Sequence, residues 1–346
     1  MTAAQWFRLA VGAVLTVGPL VVLFTALDPI WNGHPAYPAT LLVAAAAGLV
    51  LVASAFWTRG RPADLPTGRT PADLPAASPA RARRVLRVTG RVVLAVLVVG
   101  LVAALFWLRP FAAGSASMSL LAGGTGSDPA GTAPSTAAPG EPAAVTVVDG
   151  PTSIELVPAR PTGKGLVFVP GARVDPRAYA EVLWPVAAAG HLVVIVKPPF
   201  GMAIAQTGQP GTAIEAHPEV TTWAVGGHSL GGVVASWYAQ DHPDQVDGLL
   251  LFGSYSDRDL SGTDLVVESV WGSNDGLTTP EDIERTRTNL PPSAGFTEIV
   301  GGVHAYFGDY GEQPGDGQPG IDRAAATEQI SAAAVDFMQA LPAGSG

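Results

Sequence analysis

The sequence predicts an α/β fold, a mostly parallel sheet with helices on both faces, preceded by three transmembrane α-helices. Three observations lead there. Long uncharged apolar runs are confined to the first 108 residues. From Val145 onward, short apolar strand patterns alternate with helix patterns. Between two such elements stands a glycine-framed serine, Gly227-His228-Ser229-Leu230-Gly231-Gly232, behind Trp223-Ala224-Val225 and ahead of a helix-suited run from Val233 to Gln240.

The apolar runs come first in the chain. Leu9 to Leu27, Ala39 to Trp57 and Val92 to Leu108 carry no charge, and each is near the roughly 17–25 residues needed to cross a bilayer. A single run of this kind also fits a buried core helix, but three together, apolar on every face, read as a membrane anchor over residues 1–111. The loop from Thr58 to Arg91 holds 8 Arg against Asp64 and Asp73, and the loop from Asp28 to Pro38 has no Lys or Arg. Positive loops stay cytoplasmic, so everything after Arg109 is expected on the extracytoplasmic side of a cell membrane. Residues 112–144 are almost wholly Ala, Gly, Ser, Thr and Pro, without periodicity, and read as a flexible linker.

Composition bounds the chemistry. Hydrophobic residues make up 48% and charged residues 14%, which suits a chain partly in lipid. Absence of cysteine excludes disulfides, thiolate chemistry and Cys-ligated metals. Residues 109–346 hold 10 basic and 26 acidic side chains, a balance opposed to nucleic acid as partner. No pattern asks for a cofactor or a metal. Asp309, Glu312, Asp316 and Asp322 share a Gly/Pro-rich loop whose spacing matches no EF-hand, so a solvated loop is the plainer reading.

Residues 145–346 then read as one domain. Val145-Val148 and Ile154-Val157 suit an opening antiparallel pair. Leu166-Val169 is a buried-type strand, and Asp175-Pro176 starts a helix in which Pro185 predicts a kink or early end, with Gly190 as the stop. Leu192-Val196, Gly248-Phe252, Leu265-Trp271 and Phe296-Val300 complete the strands. Thr279-Pro280-Glu281-Asp282 is a helix start with a capping-box pattern, and a closing helix runs from about Ile321 to Leu341.

The serine turn carries the chemistry. Glycines two before and two after Ser229 keep side chains from colliding across a tight strand-to-helix turn. The turn pushes the hydroxyl outward at a helix N-terminus, where the dipole favours developing negative charge. Downstream, Gly272-Ser273-Asn274-Asp275-Gly276 and Gly301-Gly302-Val303-His304-Ala305 each follow a strand. Asp257, Asp259 and Asp264 precede the penultimate strand, so Asp275 is the better placed acid, although Asn-Asp-Gly is also a plain turn signature. Of the six histidines only His304 lies in a glycine-rich loop after a downstream strand.

These residues, with Val169-Pro170-Gly171-Ala172, resemble the α/β-hydrolase superfamily from about Leu166 to Leu341, and most of all the compact bacterial subgroup called hydrolase fold-5, akin to dienelactone-hydrolase-like proteins. Dienelactone hydrolase uses a Cys nucleophile, and this chain has Ser229 there. The resemblance implies a Ser229 nucleophile, a His304 base and an Asp275 orienting the imidazole. It also implies an oxyanion hole from the backbone N–H groups of Ala172 and Leu230. Phe200, Met202, Tyr306 and Phe307 are candidates to line a substrate pocket, each equally readable as core. The interval from Phe252 to Asp264 is too short for a lid domain, which points to an open site for small or extended soluble esters. The reading that follows is a membrane-anchored serine hydrolase of the carboxylesterase type, acting on a small-molecule ester-type substrate. The alternative is a non-catalytic hydrolase-like ectodomain serving as a binding or scaffold module.

Overall fold

The computed structural model describes residues 1–57, 79–123 and 144–343 and separates into two units. The first comprises Met1–Leu27 with Pro38–Arg109, and the second Asp28–Tyr37 with Pro110–Gly346.

The apolar runs become helices α1 (Ala3–Thr25), α3 (Ala36–Phe56) and α4 (Pro79–Trp107); a short α2 (Leu27–Trp31) between the first two belongs, from Asp28 on, to the second unit. The helices start earlier than the sequence runs at 9, 39 and 92; for α1 a capping box formed by Thr2 and Gln5 fixes the earlier start. Three helices, Ala3–Thr25, Ala36–Phe56 and Arg83–Trp107, are long and apolar enough to cross a membrane. Small residues bring α1 and α3 together. A Cβ on Gly12 would lie 2.7 Å from the Gly48 carbonyl oxygen, and Thr16 Oγ1 of α1 reaches the Ala45 carbonyl of α3 at 3.4 Å. Close backbone approach of this kind is how helices associate in lipid, where apolar burial gives no net drive. Val43, Val50, Leu97 and Phe24 are exposed on the outside of the unit, as lipid contact requires.

The second unit is built on one eight-stranded sheet in the order β1-β2-β4-β3-β5-β6-β7-β8. β1 (Val145–Asp149) and β2 (Ser153–Pro158) pair antiparallel, and β2 pairs antiparallel with β4 (Leu192–Val196). The rest is parallel: β3 (Lys164–Val169), β5 (Thr222–His228), β6 (Gly248–Phe252), β7 (Val266–Gly272) and β8 (Gly295–Ile299). β4, β5 and β6 are buried along their whole length, which explains their near-continuous apolar sequences. α6 (Ala180–Ala188), α7 (Gln209–Ala216), α8 (Leu230–Asp241), α9 (Pro280–Thr286) and α10 (Arg323–Ala340) complete the domain after α5 (Ser115–Gly123). Two apolar clusters form the core, one around Phe168, Leu183, Phe252 and Ile330, the other around Val167, Val194, Trp223 and Leu249.

Three local readings change. α6 does not break at Pro185 but runs to Ala188. Only the interaction of one missing N–H is lost, while Val182, Leu183, Val186 and Ala187 are fully enclosed and Ser331 Oγ of α10 donates to the Val182 carbonyl at 2.9 Å, so tertiary packing holds the helix. α7 went unread in the sequence, although Pro210 stands in its first turn. The segment read as linker is also ordered in part. Ser115–Gly123 is helical, Ser117 is fully buried, and Phe111, Ala113 and Leu121 pack on the core. The acceptors that order it, on Asp309 and Ala178, are distant in sequence, so composition alone could not reveal it. The remainder of the linker reading, 124–143, lies outside the described residues.

Candidate active site

Ser229 sits between β5 and α8 with φ 53° and ψ −127°, a left-handed backbone that a non-glycine residue adopts only where its surroundings hold it. They do so on both sides. Its N–H donates to the Phe252 carbonyl at 3.0 Å, and its own carbonyl accepts from Gly232 N at 3.0 Å and Ser254 Oγ at 2.7 Å. The glycine frame is a packing requirement. A Cβ on Gly227 would strike the Gly231 backbone across the turn, and a Cβ on Gly231 would strike the Val169 and Pro170 carbonyl oxygens. The start of α8 is thereby seated against the end of β3.

Asp275 and His304 come from the loops after β7 and β8, at the same carboxyl edge of the sheet as Ser229. The two are buried and joined, His304 Nδ1 to Asp275 Oδ2 at 2.8 Å. The other carboxylate oxygen accepts the N–H groups of Leu277 at 2.8 Å and Thr278 at 2.7 Å, so Asp275 is fixed in place. With Nδ1–H given to Asp275, His304 Nε2 carries the ring's lone pair, and in this structure it is buried with no hydrogen-bond partner. The His304 ring lies 4.5 Å from that of His228, the residue before Ser229.

His228 itself is fully buried. Tyr179 Oη accepts from Gly171 N at 2.8 Å and shares a second hydrogen bond with His228 Nδ1 at 2.9 Å. Burial, reinforced by the nearby His304, holds the His228 pKa well below its ordinary value, so the ring is neutral. Burial likewise raises the Tyr179 hydroxyl far above the usual phenol. This pair links the loop after β3 to the elbow, and sequence reasoning missed it because Tyr179 reads as an ordinary core position.

Asp316 was also missed as a site residue. Its Oδ1 accepts from Gly276 N (3.2 Å), His304 N (3.1 Å) and Gly317 N (2.7 Å), and its Oδ2 from Ala305 N (2.8 Å). One carboxylate thus ties the loop of Asp275 to the loop of His304. Its neighbours in the acidic loop are also occupied, Asp309 by Ser117 N and Asp322 by the first turn of α10.

Ala172 lies in the turn after β3 and Leu230 is the first residue of α8. Among the described residues neither N–H donates to a protein acceptor. Leu230 N is one of the orphan donors every helix start presents. Of the pocket candidates, Phe200 is half-buried with φ 57° and packs edge-on to Tyr37 at 5.7 Å, and Met202 is half-buried in the next turn. Tyr306 lines a cavity of about 380 Å³ with Ala305, Glu312, Asp316 and Arg323. Phe307 packs in the core, 1% exposed and set against Phe252 and His228.

A serine on a strand-to-helix elbow, with an acid and a histidine from later strand ends, defines the class of α/β-hydrolase folds. Residues 165–328 match the family described as Alpha/beta hydrolase family, and this domain belongs to it. Sequence comparison with curated proteins gives no match. Among solved structures the chain is similar to a predicted CIB-like hydrolase from Thermoplasma acidophilum, at 15% identity and TM-score 0.43, over 57% of this chain and 99% of that one. It is also similar to a thioesterase domain from the curacin biosynthetic pathway (14%, TM-score 0.39, 54% and 98%). A third similar structure is an α/β-hydrolase enzyme from a sediment metagenome of the lagoon of Mar Chica, Morocco (18%, TM-score 0.38, 47% and 91%).

Proposed function

We propose that the chain is a membrane-anchored serine hydrolase that cleaves a carboxylic ester or related acyl bond. The observation that carries the reading is the buried Asp275–His304 pair, with a partnerless Nε2 on a ring 4.5 Å from that of His228, the residue before a serine held at φ 53° on the elbow. Ser229 Oγ attacks the acyl carbon as its proton passes to His304 Nε2. The tetrahedral oxyanion takes hydrogen bonds from Ala172 N–H and Leu230 N–H. His304 then protonates the leaving group, and water, deprotonated in turn by His304, releases the acid from the acyl-enzyme. Asp275 holds the imidazole tautomer through His304 Nδ1. No hydrogen bond joins Ser229 Oγ to Nε2 here, which fits a free enzyme, since such bonds tighten once substrate binds.

Eight Arg between Thr58 and Arg91, against none between Asp28 and Pro38, support an anchor that leaves the hydrolase outside the cytoplasm. The test of the chemistry is a fluorophosphonate probe, expected to label Ser229, combined with a panel of soluble esters. Ser229→Ala and His304→Ala should each lower kcat about 10⁴-fold, the double variant hardly further, and Asp275→Ala somewhat less. Wild-type turnover in Ser229→Ala would refute the mechanism. An unlabelled, inactive wild type would instead favour a binding module.

A further inference from the structure

The turn that carries Ala172 depends on two segments outside the family-matched region. Arg173, next to Ala172, has φ 64°, a left-handed conformation that a side-chain-bearing residue keeps only when neighbouring groups over-determine it. Those neighbours are specific. Phe111 N donates to the Arg173 carbonyl at 2.7 Å and Asp175 N to the Phe111 carbonyl at 2.9 Å, a parallel bridge that clasps the turn from one side. The Arg173 guanidinium lies over the Phe111 ring at 4.9 Å. On the other side Arg173 N donates to the Gly201 carbonyl at 2.8 Å, and Phe200, beside Gly201, packs on Tyr37.

A buried cation completes the clasp. Arg177, 5% exposed, gives Nε and Nη2 to Asp175 and reaches Asp28 through Nη2 at 2.6 Å and Nη1 at 3.3 Å. Burial alone would weaken its charge, but hydrogen bonds and charge from Asp175 and then Asp28 hold it raised above its ordinary value. Asp28, Ile30 and Tyr37 belong to the same unit as the hydrolase, and Ile30 and Tyr37 are enclosed within it. The space left beside Ile30, Tyr37, Val174 and Phe200 is about 20 Å³, so the loop is closely fitted.

We infer that the loop 28–37 and the segment beginning at Phe111 are positioning elements of the active site, which hold Arg173 left-handed and so aim the Ala172 N–H. Asp28, Arg177 and Phe111 touch no substrate and act through the turn. The inference rests on the oxyanion role proposed for Ala172.

The experiment uses the full chain in detergent, with kcat expressed per fluorophosphonate-titrated site so that only folded molecules count. Phe111→Pro removes the N–H that pairs with Arg173, and Phe111→Ala removes only the ring. Asp28→Ala removes an exposed carboxylate and Asp28→Glu restores one. Expected are losses in kcat of about 10- to 100-fold for Phe111→Pro and about 5- to 20-fold for Asp28→Ala, with KM within about 2-fold and most activity regained in Asp28→Glu. A misaimed donor also discriminates less between an ester and its thionoester, so that ratio should fall in the two damaged variants. A merely structural role would leave it unchanged. Wild-type kcat per site in both Phe111→Pro and Asp28→Ala, or equal losses on ester and thionoester, overturns the inference. Two controls separate the premise: normal turnover in Ser229→Ala or in Ala172→Pro removes the proposed mechanism itself, and the positioning role with it.

Discussion

Asp316 offers a sharp test of how the site is held. Its carboxylate accepts four backbone N–H groups, two of them from the loop of His304. A hydrogen bond to a charged group contributes about 1.5–3 kcal/mol, and water can replace part of that for a half-buried side chain. Taking about 1 kcal/mol for each, Asp316→Ala should lose about 4 kcal/mol. Asp316→Asn keeps one oxygen for the three N–H groups around Oδ1 and turns an amide N–H toward Ala305 N–H, donor against donor, for about 2 kcal/mol. At roughly 2–4 °C per kcal/mol for a domain of this size, the melting temperature should fall about 6 °C for Asn and about 12 °C for Ala. Release of both loops should also reduce kcat about 10- to 100-fold, since catalytic groups displaced by ~1 Å lose about that much. Thermal melting of the detergent-solubilised chain and kcat on a soluble ester, both measured below the transition, check this. An Asp316→Ala protein with wild-type melting and wild-type kcat would show that the brace carries no weight.

Further outcomes follow from single contacts. Gly231→Ala should abolish probe labelling and destabilise the domain by about 3 kcal/mol or more, because its Cβ meets the Val169 and Pro170 carbonyls, whereas Gly100→Ala, with open space around it, should melt like wild type. His191, buried and repelled by Lys164, has a pKa lowered to about 4. The unfolded chain therefore binds a proton that the native one refuses, so stability is complete above pH ~6.5 and should fall by up to about 3 kcal/mol toward pH 4; denaturation curves across this window should be flatter in His191→Asn. Cysteines introduced singly at Ser78 and Ser135 should be respectively protected from and labelled by a membrane-impermeant maleimide on intact cells, and the reverse pattern would place the hydrolase in the cytoplasm. A fragment 144–346 should melt lower and turn over more slowly per titrated site than a fragment 110–346, because it lacks Phe111 and Ser117; equal behaviour would count against a role for that segment.

Where one local rule decided the structure, it could be read from the chain. The strands β4, β5 and β6 announce themselves because burial on both faces demands nearly continuous apolar runs, and the elbow because only glycine fits beside it. The capping box at Thr279, with Asp282 as its third helical residue, forms as its spacing predicts. What stayed hidden was decided by partners far along the chain. Pro185 is tolerated because of α10, Phe307 is core because it fills the space between Phe252 and His228, and Asp316 is a brace because two loops from different strands converge on it. None of these has a signature within ten residues of itself.

The same physics moves the edge of the catalytic domain. By composition the hydrolase begins at Val145, where the Ala/Gly/Ser/Thr/Pro stretch ends. By packing it begins at Pro110, and it also takes in Asp28–Tyr37. Without those segments the Arg173 carbonyl, the Asp309 carbonyl and Asp309 Oδ2 lose these donors, the Ala178 carbonyl keeps only Asp309 N, and Arg177 keeps a single carboxylate in a buried place. The losses at Arg173, Arg177 and Ala178 fall on the segment between β3 and α6, and those at Asp309 on the loop after His304. A left-handed residue stores strain that must be met elsewhere, and here it is met by chain that composition assigns to the membrane anchor and linker. Both segments are in this sense part of the α/β-hydrolase fold, and a domain boundary drawn from residue composition would cut through the support of the turn after β3.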